Sequence, residues 1–490
     1  AIELDPESAF TIDCLTDLYL EKEASGQTEA ARLVELYQQR VELCDEDDVD
    51  LRYDLLISAA KVYEERLEDR PSAIDALAQA LSAKPGDKAV LRGLDRLYRA
   101  EERWPELLDN LKLEASTEED QAARVALRKQ IGDILGIQLQ SFDDALDAYR
   151  LVLDEAPEDA QARAAVRKLG EEHEDLRSTV AEILVPVLRQ SAAHAELVEV
   201  LELRLSVETD PLQRGETLRT IGLVYEINLE EPAKALDALL RALSETPDSA
   251  ELHGDIARLA EQSDGFAKYA EALEERAQAT FDPELVRDLY SRLGAVAEDQ
   301  LKDPKRAIDA YSRAVEQAGD QPDLLLALDR LYEKVEDFQS LADILERRAL
   351  LDATESEQAA IYHRLATVQI DKFAEPARGL ASLRMALERV PGHEDSAQAL
   401  EKLTSDRDLF EEVAELLEEV YRSAGRTQDL AGLYEKRVGF ADSPTERIDM
   451  RRNLAKVLED DCQDASAAQR VLQQGLSDDP SDGMLLAELE

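Results

Sequence analysis

"DPKRAIDAYSRAVEQ", Asp303 to Gln317, decides the fold, because the chain writes this phrase five times. The other versions are "RPSAIDALAQALSAK" from Arg70, "SFDDALDAYRLVLDE" from Ser141, "EPAKALDALLRALSE" from Glu231 and "EPARGLASLRMALER" from Glu375. The opening small residue falls at Ala73, Ala145, Ala235, Ala307 and Gly379, so three of the four steps are equal and the second is longer by about one helix. Twelve residues later stands a helix breaker, Pro85, Pro157, Pro247 or Pro391, with Gly319 in the slot once and Pro6 and Pro480 extending the series. A small residue also recurs ahead of each phrase, at Ala60, Gly132, Gly222, Gly294, Ala366 and Ala455.

Within each of the equal steps the apolar residues follow the i, i+3, i+4, i+7 spacing of an amphipathic helix, and the segments between are short and polar. Four helices fit: one with the small residue, one with the phrase, one like "VLRGLDRLYRA" and one like "WPELLDNLKLEA". Each unit is therefore expected to be two helical hairpins. The small residue and the facing alanine let two backbones approach closely, and the proline cannot continue the helix it ends.

Leu218, Ile221, Gly222 and Tyr225, then Ala235, Leu239, Ala242 and Pro247, resemble the tetratricopeptide repeat. Tyr290, Leu293 and Gly294 followed by Ala307, Tyr311 and Ala314 match again. The second hairpin of each unit keeps the apolar frame, as Leu91, Leu94 and Tyr98 or Leu325, Leu328 and Tyr332, but places Asp95 and Asp329 at the glycine. The resemblance covers nearly the whole chain. It implies an all-α, right-handed superhelical solenoid of stacked hairpins with a groove lined by the first helix of each.

A longer period overlies this one. The stretch from Asp175 to Arg204 aligns without a gap to Asp408–Arg437, and Leu91–Leu111 to Leu325–Leu345, at nearly the same shift. The expected organisation is one continuous solenoid over 1–490, built of superunits at about 1–234 and 235–468, with extra-helix inserts near 170–193 and 403–426. Pro186 is expected to kink the first of these helices; Glu419 replaces it in the second. "AIELDPESAF" and "SDGMLLAELE" carry no polar capping repeat, so the chain reads as a segment of a longer array.

Charge narrows the class of function. Against 109 acidic residues stand 57 basic ones, a formal net charge of −52. Nucleic acid requires the opposite balance, because affinity there comes largely from Lys and Arg displacing counterions. The longest apolar run, "ILVPVL" from Ile183, is far too short to span a membrane. Arginine greatly outnumbers lysine and alanine is abundant, a bacterial composition in which the acidity could equally serve halophilic solubility. Cysteine usage points to the cytoplasm, with the periplasm nearly as compatible.

Chemical motifs are absent. There is no phosphate-binding glycine loop, no nucleophile elbow and no His-Glu-x-x-His. Cys14, Cys44 and Cys462 are far apart, and His173, His194, His253, His363 and His393 have no second ligand at metal-binding spacing. The acidic run "CDEDDVD", Cys44 to Asp50, lacks the glycine and closing Glu of a calcium loop and is expected to be a solvated connection that supplies helix caps. No catalytic residue, metal or cofactor is expected. Tyr98, Tyr332, Trp104 and Phe338 are expected to pack the hairpins, with the small-residue ladder.

One series stands out. A basic residue precedes a leucine on the helix after each phrase, at Arg96, Lys168, Arg258, Arg330 and Lys402, while Asp17 breaks the series in the preceding hairpin. By the resemblance these cations would line the groove; the plainer reading is that each offsets neighbouring carboxylates. A second arginine, at Arg40, Arg204, Arg276, Arg348 and Arg437, is expected to clamp one helix to the next. The functional expectation is a non-catalytic scaffold that binds proteins or peptides through the groove and the acidic surface, or serves as a subunit of a larger complex. The alternative is a recruiting or regulatory arm of a chain whose catalytic domain lies outside this segment.

Overall fold

The computed structural model describes residues 8–24, 29–45, 47–351, 354–480 and 482–489, and among them every regular element is helical. Two compact units, Ala1–Thr246 and Pro247–Glu490, divide the chain. In the first, α1 (Ala9–Ala24) and α2 (Ala30–Glu42) precede a four-helix repeat of α3 (Val49–Glu65), α4 (Arg70–Ala83), α5 (Lys88–Ala100) and α6 (Trp104–Thr117). A five-helix repeat follows: α7 (Gln121–Asp133), α8 (Phe142–Glu155), α9 (Ala160–Glu172), α10 (Arg177–Gln190) and α11 (His194–Val207). The unit closes with α12 (Pro211–Leu223) and α13 (Pro232–Glu245).

The second unit opens with α14 (Ala250–Ser263) and α15 (Phe266–Ala279). Four helices follow, α16 (Pro283–Asp299), α17 (Pro304–Ala318), α18 (Pro322–Lys334) and α19 (Phe338–Ala349). The next repeat again has five, α20 (Glu355–Asp371), α21 (Pro376–Arg389), α22 (Glu394–Leu403), α23 (Phe410–Ser423) and α24 (Thr427–Phe440). It ends in α25 (Pro444–Asp460), α26 (Ala465–Gly475) and α27 (Gly483–Leu489). Within each unit consecutive helices pack on one another, the stacked-hairpin arrangement that the repeats imply.

The helices form where their apolar stripes can be covered. α5 buries Val90, Leu91, Leu94, Leu97 and Tyr98, one face of a helical period. At roughly 1.5–3 kcal/mol per buried aliphatic side chain, such a stripe outweighs the propensity differences along the helix, which are a few tenths each. Aspartates mark the starts: Asp69, Asp87, Asp120, Asp159, Asp210, Asp282, Asp303, Asp337 and Asp464 each accept a first-turn amide hydrogen bond. Part of the chain's acidity is therefore local helix chemistry. Pro85, Pro157, Pro247 and Pro391 each stand two residues beyond a helix end, and Gly319 caps α17 with φ +74°. Pro6 lies outside the described residues.

The extra helices are α10 and α23. Val180, Ala181, Ile183, Leu184 and Leu188 bury the inner face of one, and Phe410, Val413, Ala414, Leu417, Val420 and Tyr421 that of the other. Pro186 stands inside α10 with its ring exposed, and the helix runs on through it to Gln190.

A single turn joins the first two helices of every repeat. The amides of Leu67, Leu139, Leu229, Leu301, Phe373 and Cys462 each donate five residues back, to Val62, Ile134, Val224, Val296, Val368 and Val457, at 3.0–3.2 Å. After each comes a residue in the left-handed region: Glu68, Gln140, Glu230, Lys302, Ala374 and Gln463, φ +52° to +56°. None is glycine, although an L-residue there costs roughly 1–2 kcal/mol. Ala374 is exposed, so nothing but backbone conformation is at stake there. Ala374→Gly should stabilise the fold by about 0.5–1 kcal/mol, the relief being partly offset by the freer unfolded chain. A urea midpoint that stays put or falls would contradict the role of this turn.

Candidate functional site

The structure places the five cations on the first helix of the second hairpin in each repeat: Arg96 on α5, Lys168 on α9, Arg258 on α14, Arg330 on α18 and Lys402 on α22. Arg96 reaches Glu64 on α3 at 2.7 Å, and Arg330 reaches Glu298 on α16 at 3.2 Å, the same two positions in the two copies of the longer period. Lys168 pairs with Glu172 at 3.6 Å and Arg258 with Asp255 at 3.4 Å, each within its own helix. Lys402 has no ion pair among the described residues and lines a cleft of about 680 Å³ between α22 and α23, together with Glu401 and Arg426. The paired cations keep 68, 69, 43 and 60% of their side chains exposed, for Arg96, Lys168, Arg258 and Arg330 in turn. Such exposed pairs contribute about 0–1 kcal/mol each, so a competing ligand could displace the partner at little cost.

The second arginine series clamps helices where a carboxylate is supplied. Arg40 on α2 bonds Asp13 on α1 at 2.9 Å, Arg437 on α24 bonds Glu418 on α23 at 2.7 Å, and Arg348 on α19 bonds Asp329 on α18. In the last two pairs the acid precedes the arginine by the same offset. For Arg204 and Arg276 that position is Val185 and Ala257, and neither arginine has an ion pair among the described residues.

The aspartates at the glycine position of the second hairpin are held by neighbours. The Asp329 side chain is only 2% exposed and takes a two-pronged contact from Arg364 on α20, both hydrogen bonds at 2.8 Å, besides the Arg348 contact. Asp95, its counterpart, instead accepts from Asn110 on α6 at 2.7 Å. Burial pushes the Asp95 carboxyl up, and pushes up buried Glu114 nearby as well. The sequence pattern showed these aspartates and the arginine at Arg348, but not Arg364, which belongs to the next repeat.

The small-residue ladder sits at the crossing of the first two helices. The space a Cβ on Gly132 would need is taken by the Tyr149 ring at 2.7 Å, and on Gly294 by the Tyr311 ring at 2.6 Å. Gly222 faces Leu239, also at 2.7 Å, while Ala60, Ala366 and Ala455 are buried. Tyr98 is buried and Tyr332, Trp104 and Phe338 are half-buried; Arg103 lies 5.5 Å over the Tyr98 ring and Lys372 lies 4.4 Å over Phe338.

The remaining polar groups divide unevenly. His253 is buried, its Nδ1 meeting the Tyr269 hydroxyl at 2.7 Å and its Nε2 the Pro247 carbonyl at 2.9 Å; burial holds its pKa down. The histidines do not all stand apart, contrary to their sequence spacing: His363 on α20 and His393 at the start of α22 bring their rings to 5.7 Å. Cys14 is exposed, and Cys44 and Cys462 are half-buried thiols. The acidic run gives Asp48 to the start of α3, but its side chain makes no cap hydrogen bond, and Asp50 instead pairs with Lys84 at 2.6 Å; Glu46 lies outside the described residues. No group of three or more His, Cys, Asp or Glu among the described residues could hold a metal ion, and no helix there is long and apolar enough to cross a membrane.

Comparison with known proteins finds only partial likenesses. No family model matches the chain. A 54-residue stretch, 11% of the chain, is 41% identical to photosystem I assembly protein Ycf3 of Synechococcus sp. (strain CC9902), and the chain spans 31% of that relative's length. Among solved structures, the C-terminal part of a TPR repeat-containing protein of Cytophaga hutchinsonii is 15% identical, covering 56% of this chain and 99% of its own at a TM-score of 0.26. Pseudomonas aeruginosa PilF is 16% identical, with 47% and 99% covered and a TM-score of 0.23. The small-residue, alanine and proline ladders, each carried at its own place on successive helix pairs, give this chain the stacked-hairpin arrangement of the tetratricopeptide repeat that its sequence resembles.

Proposed function

We propose that the chain is a non-catalytic scaffold that binds proteins or peptides through the exposed first-helix face and the acidic surface. The observation that supports this most directly is the recurrence of one exposed cation at one register in five hairpins of a chain with net charge −52. A charge of that size attracts basic segments and speeds their encounter, while the cations offer isolated points at which an acidic or C-terminal carboxylate peptide can dock.

The two modes separate experimentally. Binding by the acidic surface should weaken steeply between about 50 and 500 mM salt, as the screening length shrinks from roughly 14 Å to roughly 4 Å. Binding by the ladder should be abolished by combined Arg96→Ala, Arg258→Ala and Arg330→Ala substitutions with the melting temperature nearly unchanged, since the lost pairs are exposed. Partners retained by the immobilised chain through both high salt and the triple substitution would defeat both modes. A recruiting arm of a larger catalytic chain would use the same surface, and a catalytic domain in the full open reading frame would favour that version.

A further inference from the structure

The start of α22 is built differently from its counterparts. The residue that precedes the first helix of the second hairpin is Asp87, Asp159, Ser249, Gln321 and His393 in successive repeats. Asp87, Asp159 and Ser249 accept first-turn amide hydrogen bonds through oxygen. His393 does so through its ring, Nδ1 accepting from the Ser396 amide at 3.3 Å and lying 2.8 Å from the Ser396 hydroxyl. In the other five-helix repeat, the cap Asp159 is held by Lys129 of α7 at 2.8 Å. The position matching Lys129 is His363 on α20. A charged Lys–Asp clamp in one five-helix repeat is thus a pair of imidazoles in the other, with ring centroids 5.7 Å apart.

Protonation removes the cap that this pair supplies. A neutral imidazole can cap with its bare Nδ1; the imidazolium carries a hydrogen there and cannot accept. The new charge would also sit at the positive end of the helix dipole and beside a second imidazole, against which stand the first-turn carboxylates Glu394 and Asp395. The imidazolium carries hydrogen on both ring nitrogens, and the His363 Nδ1 is buried without a hydrogen-bond partner to receive one. The charges that reach it are His393, Asp395 and Lys402, all on α22 or its cap; Asp395 favours the charged form, while His393 and Lys402 oppose it. Burial, then His393, holds the His363 pKa below the ordinary imidazole value. An imidazole lowered in this way contributes stability in full above its unfolded pKa of about 6.5 and loses it as pH falls from there toward the folded value.

We propose that His363 and His393 form a proton-responsive joint that loosens the start of α22 from α20 as the pH falls below neutrality. Native-state hydrogen exchange at pH 7.5 and 5.5, corrected for intrinsic rates, reads it directly. The Ser396 and Ala397 amides should lose about five- to tenfold in protection, the worth of one helix cap, relative to the Asp159-capped Ala162 amide. His363→Lys with His393→Asp rebuilds the Lys129–Asp159 clamp and should flatten the response; His393→Asp alone, which caps at either pH, should remove most of it. His253 is common to all variants and cancels between them. Equal protection of wild-type Ser396 and Ala397 at both pH values, or a response undiminished in the substituted chains, would overturn the proposal.

Discussion

Asp329→Ala is expected to destabilise the Pro247–Glu490 unit by about 3 kcal/mol, more than loss of any surface ion pair. Removing one partner of a buried charge pair typically costs roughly 3–5 kcal/mol, because the other charge is left uncompensated. Here two guanidinium groups lose their anion. Arg348 keeps 19% of its side chain exposed and Arg364 keeps 40%, so both recover some hydration, and Arg364 retains Glu333 at 3.0 Å. That argues for the lower end of the range. For a unit of this size the shift corresponds to roughly 6–12 °C in melting temperature. Asp329→Leu with Arg348→Met should recover much of the loss, since apolar residues of similar volume often replace a buried pair at no net cost. A loss below about 0.5 kcal/mol in the single variant would mean that the clamp carries none of the weight assigned to it.

Why only the Arg348 half of the clamp was legible in the sequence follows from where its parts lie. The ladders repeat because each position meets the same neighbour in every copy, as Gly132 meets Tyr149 and Gly294 meets Tyr311. The all-helical pattern of neighbouring pairs was therefore readable from spacing alone. Polar partners are not bound to the period in this way. Arg348 is one of a series of five, yet only the units that also supply a carboxylate at the Asp329 or Glu418 position turn the register into that contact. The Arg96–Glu64 and Arg330–Glu298 pairs cross from α5 to α3 and from α18 to α16, between hairpins, which periodicity within one helix does not expose. The His363–His393 pair could have been found by carrying the longer period onto Lys129 and Asp159, since both replacements fall on corresponding positions.

The crossing of α16 and α17 offers the second large effect. A Cβ on Gly294 would lie 2.6–2.7 Å from three atoms of the Tyr311 ring, closer than carbon atoms pack, and an aromatic ring cannot bend away as an aliphatic end can. Gly294→Ala should therefore cost about 1–3 kcal/mol by overpacking, despite a gain of up to roughly 1 kcal/mol in helix propensity. The other repeats state the remedy. Seventeen residues after the small position stands Tyr149 or Tyr311 where that position is glycine, and Leu77, Leu383 or Leu472 where it is Ala60, Ala366 or Ala455. Gly222 with Leu239 is the mixed case, in which the nearest atom is a leucine methyl able to turn aside. Tyr311→Leu alone should leave a void and lose about 1–3 kcal/mol. Gly294→Ala with Tyr311→Leu reproduces the Ala366–Leu383 arrangement and should be more stable than the sum of the single losses by about 1–2 kcal/mol, a coupling expected only of residues in direct contact. Additive losses in that double-mutant cycle would show that the glycine and the ring do not compete for one space, and that the close crossing is set elsewhere in the hairpin.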